Sequence, residues 1–263
     1  MDLVEAQGAR IPAVGLGTWT LGGRALQRLV EQALRLGYRH IDTAEAYENE
    51  REIGEALRVA GIRRSEVFIT TKVWKTHLSP PDLVRAAKES LVRLRLTEVD
   101  LLLIHWPNPR IPLADTIGAL CRVKSEGYAR SIGLSNFTPP LIEEAARYAS
   151  EPLAVNQVEW HPYIDQRATV EATRKHGMAV VAYSPIAQGK LAGDKVLATI
   201  GMNYGKTAGQ VSLRYLVQQG AAVIPRTSRI ERLTENMAIF DFALTDDEMA
   251  EIAKLARPDG SVA

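Results

Sequence analysis

Four side chains that can donate or accept a proton lie where short apolar runs end in the sequence. They are the carboxyl group of Asp42, the phenol of Tyr47, the amine of Lys72 and the imidazole of His105. If the runs are parallel strands about 4.8 Å apart, their carboxyl ends meet at one mouth and these side chains can touch. A cation near a phenol favours the phenolate and lowers the phenol's pKa below its usual value of about 10. We therefore expect Tyr47 to be a general acid whose pKa is lowered by Lys72.

The apolar runs alternate with amphipathic stretches, and eight of them are strand candidates. These are Val14–Gly17, Tyr38–Asp42, Val67–Lys72, Val99–His105, Ser131–Leu134, Ala154–Val158, Ala179–Tyr183 and Ala222–Pro225. The helix patterns are Gln27–Leu36, Asn49–Ala60, Pro81–Leu94, Leu113–Glu126, Pro140–Ala149, Arg167–His176, Thr207–Gln219 and a tail helix, Asp246–Leu255. Short, nearly continuous apolar strands are typical of a parallel sheet with both faces covered. Eight strand–helix units favour an α/β fold, a closed (β/α)8 TIM barrel in a single domain over residues 1–263. A doubly wound open sheet is the alternative.

Composition and charge narrow the class of function. The 32 basic and 31 acidic residues give a net charge of +1, which argues against nucleic acid as a partner. The single Cys121 excludes an internal disulfide and suits a reducing compartment. His40 and His105 lack partners at ligand spacing, so no metal site is predicted. Without a signal-peptide pattern or an apolar run near the roughly 18 residues that span a bilayer, we expect a cytoplasmic monomer with no membrane partner.

A series of short motifs has the order and spacing of one known family. The motifs are Gly15-Leu-Gly-Thr-Trp19, Gly37-Tyr-Arg-His-Ile-Asp-Thr-Ala44, Asn49-Glu50, Thr71-Lys-Val-Trp74, Leu103-Ile-His-Trp-Pro107, Ile132-Gly-Leu-Ser-Asn-Phe137, Asn156-Gln-Val-Glu159, His161-Pro-Tyr163, Ala182-Tyr-Ser-Pro185 and Ile224-Pro-Arg226. Over nearly its whole length the chain resembles the aldo-keto reductases, (β/α)8 barrels that reduce carbonyl compounds with NADPH. Their catalytic tetrad corresponds to Asp42, Tyr47, Lys72 and His105. The resemblance implies hydride transfer to aldehydes, ketones or dicarbonyls, with Tyr47 as the general acid.

The same resemblance implies where the nicotinamide end of NADPH binds. The residues that correspond to family contacts with the carboxamide are Ser135, Asn136 and Gln157. Their amide and hydroxyl groups suit a carboxamide, which both donates and accepts hydrogen bonds. Tyr183 corresponds to the aromatic residue on which the nicotinamide ring stacks, which fixes the face that delivers hydride. The remaining residues predicted to bind the nicotinamide end are two polar residues of the matching motifs, Thr18 and Ser184.

The resemblance also implies that the adenosine end of NADPH binds to the segment after the eighth strand. Barrels often bind phosphate at this position. Arg226, Thr227 and Arg232 correspond to residues that contact the 2′-phosphate of the adenosine. Glu235 and Asn236 correspond to residues that contact the adenine. The chain departs from the common family pattern at two of these positions, because Arg226 is commonly Lys and Thr227 commonly Ser. Arginine adds a bidentate fork, so the phosphate chemistry is retained.

The substrate pocket is expected among tryptophans that follow strand ends. Trp19, Trp74 and Trp106 would form its apolar wall. The loops after His105 and Tyr183 are short, and little chain follows the last helix, so we expect a shallow and open pocket. This compact form is similar to the bacterial 2,5-diketo-gluconate reductase group, which implies small dicarbonyls and keto sugars as substrates.

Two other functions use some of the same residues. A Schiff-base aldolase with Lys72 as nucleophile would explain the amine, the phenol and the acid, but would leave Arg226 to Asn236 without a role. A regulatory barrel that senses NADPH and turns over slowly would keep the cofactor residues. Borohydride trapping with substrate distinguishes the aldolase, and a steady-state rate on a reactive aldehyde distinguishes the sensor.

Overall fold

The computed structural model describes residues 2–263. The strands are β1 (Leu3–Ala6), β2 (Ala9–Pro12), β3 (Leu16–Gly17), β4 (His40–Asp42), β5 (Phe68–Val73), β6 (Val99–Ile104), β7 (Ala129–Ser135), β8 (Leu153–Glu159), β9 (Ala179–Tyr183) and β10 (Ala222–Val223). The helices are α1 (Gly23–Arg35), α2 (Glu50–Ala60), α3 (Pro80–Leu94), α4 (Leu113–Ser125), α5 (Pro139–Tyr148), α6 (Arg167–Lys175), α7 (Lys195–Tyr204), α8 (Ala208–Gln218), α9 (Ile230–Met237) and α10 (Asp246–Ala253). No helix between Asp2 and Ala263 combines the length and apolarity needed to cross a membrane.

Eight strands form one parallel sheet in the order in which they occur in the chain, from β3 to β10. The sheet closes on itself through parallel bridges from Val14 to Val223 and from Gly17 to Arg226. The backbone amide of Gly17 donates to the carbonyl of Pro225 at 3.2 Å across this seam. A Cβ atom at Gly17 would lie 2.7 Å from the carbonyl oxygen of Ile224, so the closure requires glycine there. The predicted (β/α)8 barrel is confirmed, and the doubly wound alternative is wrong.

The barrel has two apolar layers, one inside the sheet and one between the sheet and the helices. All six residues of β6 are buried, and from Leu101 to Ile104 their side chains alternate between the two layers. Leu101 and Leu103 pack inside the barrel, whereas Leu102 and Ile104 pack under the helices. This alternation follows from the two-residue period of a strand, and it explains the nearly continuous apolar runs in the sequence.

The eight predicted helices match their sequence patterns to within a few residues, because their ends carry ordinary boundary signals, whereas α7 and α9 were not predicted. Pro80 and Pro81 occupy the first positions of α3, where a missing amide hydrogen costs nothing. Thr207 and Thr245 begin α8 and α10 with capping boxes. The tail helix α10 lies outside the barrel, as expected, and its Glu248 accepts a hydrogen bond from Tyr204 of α7 at 2.6 Å.

Candidate active site

The four proton-handling side chains meet at the carboxyl ends of the first barrel strands. Asp42 ends β4, Lys72 is the fifth residue of β5, and His105 directly follows β6. Tyr47 reaches the same place from a short 3-10 turn, Glu45–Tyr47, between β4 and α2. The parallel register places these strand ends side by side, as the sequence pattern predicted.

Lys72 and Asp42 form a buried ion pair under the floor of the site. Lys72 Nζ lies 2.6 Å from Asp42 Oδ1, and the two side chains are 0% and 2% exposed. Lys72 also donates to the carbonyl of Thr43 at 2.9 Å. The second carboxylate oxygen of Asp42 accepts a hydrogen bond from Gln157 Nε2 at 2.8 Å. The pair is therefore both charge-matched and hydrogen-bonded, which is what burial of two ions requires.

The ammonium group of Lys72 stands directly beside the phenol of Tyr47. Lys72 Nζ is 3.4 Å from the Tyr47 oxygen and 5.0 Å from the ring centroid. Burial raises the pKa of Tyr47, Lys72 lowers it, and the net pKa lies above the ordinary value. The expectation of a lowered pKa is therefore wrong, because burial outweighs the neighbouring cation. The phenol consequently keeps its proton at neutral pH, as a proton donor must.

His105 faces Tyr47 and Trp74 as a neutral imidazole. Burial first, and the charge of Lys72 second, lower the pKa of His105 to about 3. Its ring stands edge-to-face against Tyr47 at 5.5 Å and against Trp74 at 5.1 Å between centroids. Its Nδ1 has no hydrogen-bond partner among residues 2–263. Because Nδ1 is shielded from solvent, the nitrogen that could bind and orient a substrate oxygen is the other one of the neutral ring, Nε2.

A second buried histidine, His40, should make the stability of the fold depend on pH. Burial lowers the pKa of His40 to about 4, whereas an unfolded histidine titrates near 6.5. Between these pH values the unfolded chain binds more protons, so stability should fall as the pH drops from about 6.5 to about 4, by on the order of 3 kcal/mol from His40. Urea denaturation at pH 7 and pH 5 measures the part of this loss that falls between those pH values, about 2 kcal/mol.

The control for this prediction is His40→Gln. His40 Nε2 lies 3.0 Å from Thr70 Oγ1, and a glutamine amide can take over that contact without titrating. The variant should lose less stability between pH 7 and pH 5 than the wild type. An unchanged pH dependence would show that His40 is not the group responsible.

One large cleft opens above these residues. Its volume is about 1720 Å³, and every predicted site residue except Lys72 lines it. Lys72 lies below, fully buried. The predicted tryptophans, catalytic residues and cofactor residues, including those of the segment after β10, therefore share one continuous space.

The polar groups at the centre of the cleft fit a nicotinamide carboxamide in their chemistry. Asn136 has a positive φ of 63°, which turns its side chain back onto the ends of the strands. Its Nδ2 donates to the carbonyl of His105 at 2.9 Å, and its Oδ1 accepts from Tyr183 at 2.9 Å. Ser135 and Gln157 flank it in register on β7 and β8. Donors and acceptors therefore stand next to an aromatic ring, as the predicted contacts require.

At the other end of the cleft, cationic and polar side chains surround the beginning of α9. Arg232 Nη1 lies 2.7 Å from Glu235 Oε1, and the arginine side chain is 48% exposed. The hydroxyl of Thr227 accepts a hydrogen bond from the amide of Arg229 at 3.0 Å. Asn236 is buried beside them. Two exposed guanidinium groups, Arg226 and Arg232, line a cleft here and have the chemistry to bind a phosphate.

The three predicted tryptophans also line the cleft, and a glutamate that sequence reasoning missed holds one of them. Trp19 is 51% exposed and Trp106 is 38% exposed, which fits an open pocket wall. Glu45 accepts from the amide of Trp74 at 2.9 Å, and its other oxygen lies 2.6 Å from His77 Nδ1. Because Glu45 lies in the turn that presents Tyr47, it ties the phenol to the Trp74 loop. Its position in Ala44-Glu-Ala-Tyr47 was a possible signal, but a lone glutamate has no distinctive pattern.

The short stretch of chain after α10 also reaches the cleft. Glu159, at the end of β8, accepts from Ser261 Oγ at 2.6 Å and from the amide of Val262 at 2.6 Å. Gln188 donates to the carbonyl of Val262 at 2.9 Å. Val262 and Gln188 both line the cleft, so the pocket has a wall that its short loops did not predict.

The fold is a (β/α)8 barrel, and the predicted catalytic residues lie at the carboxyl ends of its strands, where enzymes of this fold have their active sites. A model of the aldo/keto reductase family matches residues 13–257, and the chain belongs to this family. The family comprises oxidoreductases that act on small carbonyl compounds with a nicotinamide cofactor.

Individual relatives are similar over nearly the whole chain. The methylglyoxal reductase DkgB of Salmonella typhi is 40% identical over 248 residues, which is 93% of each chain. A solved structure provisionally described as a 2,5-diketo-D-gluconic acid reductase B is 48% identical, covers 100% of this chain and 94% of its own, and superposes with a TM-score of 0.98. The aldose reductase of Schistosoma japonicum is 34% identical, covers 98% of this chain and 94% of its own, and has a TM-score of 0.93.

Proposed function

We propose that this protein reduces small aldehydes, ketones and dicarbonyls to alcohols with NADPH, and that Tyr47 is the general acid. The observation that carries the proposal is the position of the Tyr47 oxygen, 3.4 Å from Lys72 Nζ at the floor of a large cleft. The similarity to a methylglyoxal reductase and to a diketo-gluconic acid reductase supports dicarbonyls as the substrate class.

Each residue of the site has a distinct task in this reaction. The chemistry that a reduced nicotinamide supplies when bound is a hydride for the carbonyl carbon. Tyr47 gives its phenolic proton to the carbonyl oxygen, and the cation of Lys72 stabilises the phenolate that remains. Asp42 keeps Lys72 charged and in place through the 2.6 Å ion pair. His105 is neutral and donates or accepts one hydrogen bond that orients the carbonyl.

The state of Lys72 argues against the aldolase alternative. Burial lowers the pKa of Lys72, but Asp42 and Tyr47 outweigh burial, and the net pKa lies above the ordinary value. A Schiff base forms only from a neutral amine, whereas this ammonium holds its proton and donates to Asp42 and Thr43. We therefore expect no substrate to be trapped on Lys72 by borohydride.

The proposed substrate class is tested by a screen of small aldehydes, ketones, dicarbonyls and keto sugars, followed by the loss of NADPH absorbance. Because the substrate would make few contacts away from the reacting carbon, little binding energy is available to distinguish one substrate from another. We therefore expect broad specificity and high KM values. Reduction of a single compound with a low KM would contradict the breadth. No turnover of any reactive aldehyde would favour the sensor alternative.

Cofactor preference should depend on the exposed arginines near α9. We expect NADPH to bind at least about tenfold more tightly than NADH, because one charge-assisted hydrogen bond to the 2′-phosphate is worth roughly 1.5 kcal/mol or more. Arg232→Ala should weaken NADPH and leave NADH nearly unchanged. Since Arg232 is already paired with Glu235, the loss should be near the lower end of this range. Titration of both cofactors gives the Kd values.

The matched control is Arg229→Ala, in the same segment. Arg229 is exposed and lies 3.7 Å from Glu231. No role in phosphate binding is predicted for it, so its removal should change the Kd of NADPH less than removal of Arg232. If the Arg232 variant lost affinity for both cofactors equally, that arginine would support the segment and would not contact the phosphate.

A further inference from the structure

A strained turn carries Trp19 on the rim of the cleft. The amide of Leu21 donates to the carbonyl of Thr18 at 3.0 Å, which closes a four-residue turn. Thr20, the third residue of the turn, has a φ of 63°, whereas Trp19 has no positive φ. This pattern is that of a type II turn, in which the third position favours glycine or asparagine. A β-branched threonine is unfavourable there, so its side chain is expected to have a use.

The hydroxyl of Thr20 is held by Arg226, from the opposite end of the sequence. Arg226 Nη2 donates to Thr20 Oγ1 at 2.8 Å, and Arg226 Nε donates to the carbonyl of Trp19 at 3.3 Å. Both contacts fall on the middle of the turn. Its two ends are held separately, because Asn49 Nδ2 donates to the carbonyls of Thr18 and Leu21, each at 2.9 Å.

The barrel seam brings Arg226 to this turn. Gly17 and Arg226 pair as a parallel bridge where β3 meets the chain after β10. The exposed guanidinium of Arg226 therefore lies beside both the Trp19 turn and the segment that contains Thr227 and Arg232. A guanidinium has five N–H donors in a planar fork, and the turn uses two of them.

We propose that Arg226 couples the cofactor phosphate to the substrate wall, by holding the Trp19 turn and a bound 2′-phosphate with the same guanidinium. This proposal rests on the proposed use of NADPH. A bound phosphate restricts the motion of the exposed Arg226 side chain. The N–H groups of Arg226 that do not contact the phosphate stay directed at Thr20 and at the Trp19 carbonyl. Two contacts that order the same side chain reinforce one another, so the coupling is positive. A cofactor without the phosphate leaves the turn as it is in the free protein.

The amide of Leu21 reports on this coupling without turnover, because it closes the turn. Hydrogen exchange at Leu21 is measured for the protein alone, with saturating NADP⁺ and with saturating NAD⁺. NADP⁺ should slow the exchange by about fivefold or more relative to NAD⁺, the lower range of ordinary coupling between sites. In steady state, the KM for one small dicarbonyl should be lower with saturating NADPH than with saturating NADH by a similar factor.

Three variants separate the coupling from a merely structural role. Thr20→Ala removes the hydroxyl, and Thr20→Ser keeps it. Arg226→Lys keeps the charge but replaces the planar fork by one ammonium, which cannot hold both partners in the same way. The extra protection by NADP⁺ should disappear in Thr20→Ala and Arg226→Lys and persist in Thr20→Ser. Because coupling is reciprocal, the Kd of NADP⁺ should rise by about the same factor in Thr20→Ala and stay close to the wild-type value in Thr20→Ser.

The possible outcomes are distinct for the coupling and for the proposed cofactor. Equal protection of Leu21 by NADP⁺ and NAD⁺, or protection that survives Thr20→Ala and Arg226→Lys, would overturn the coupling while NADP⁺ still binds. Faster exchange with NADP⁺ would show that the phosphate withdraws Arg226 from the turn, which would also overturn it. Failure of NADP⁺ to bind in the same titration would reject the proposed cofactor and the coupling together.

Discussion

Replacing Tyr47 with phenylalanine should lower kcat for carbonyl reduction by about 10²–10⁴-fold, the usual contribution of a general acid. The ring and its edge-to-face contact with His105 remain, so the shape of the floor is preserved. Only the oxygen that lies 3.4 Å from Lys72 Nζ is lost. Because Tyr47 makes none of the predicted phosphate contacts, the Kd of NADPH should stay within a few-fold of the wild type.

The control for this variant is the same substitution at a surface tyrosine. Tyr148, at the end of α5, is 44% exposed and lies outside the cleft. Tyr148→Phe should reduce carbonyls at the wild-type rate. Near-wild-type kcat in Tyr47→Phe would show that Tyr47 is not the proton donor. Loss of NADPH binding would show that the variant disturbs the cleft and not only proton transfer.

Lys72→Met should cost both stability and activity. The substitution leaves Asp42 as a buried carboxylate without its cation, and breaking a buried pair in this way typically destabilises a protein by about 3–5 kcal/mol. It also removes the charge that stabilises the phenolate of Tyr47, which weakens proton donation by Tyr47. We therefore expect kcat to fall by about 10²-fold or more, the lower end of the usual contribution of a general acid. Urea denaturation gives the free energy of unfolding, and NADPH oxidation gives kcat.

A double variant separates the two effects. In Asp42→Asn with Lys72→Met, no buried charge remains unpaired, and the asparagine carbonyl can still accept from Gln157, which donates to Asp42 at 2.8 Å. The double variant should therefore be more stable than Lys72→Met but equally poor in catalysis. A single Lys72→Met variant as stable as the wild type would contradict the ion pair, and recovery of activity in the double variant would exclude Lys72 from proton transfer.

Some helices and strands were not predicted from the sequence, because their residues are selected by contacts in the folded protein and not by local helix or turn preference. Helix α7 contains Gly201, which weakens helix propensity. A Cβ atom there would overlap the carbonyl oxygen of Lys206, so the close approach of the chain decides the residue. The hairpin of β1 and β2 turns at Gln7 and Gly8, both with positive φ. Gln-Gly is a weaker turn signal than Asn-Gly, so the sequence did not mark it.

The sequence by itself determined the barrel and the place of the four proton-handling side chains. Hydrophobic periodicity is local, and residues such as Asp42 and His105 stand at strand ends that a parallel sheet must bring together. The family motifs are local as well, so Tyr47 and Lys72 could be assigned roles before their distance was known.

Only the tertiary structure decided how those groups behave and what surrounds them. The pKa of Tyr47 is raised and not lowered, because burial depends on everything that packs over the ring, whereas the sequence showed only the cation. The contact of Glu159 with Val262 and the contact of Arg226 with Thr20 join residues 103 and 206 positions apart. Such pairs have no local pattern, since closure of the barrel brings Arg226 to Thr20 and the path of the chain after α10 brings Val262 to Glu159.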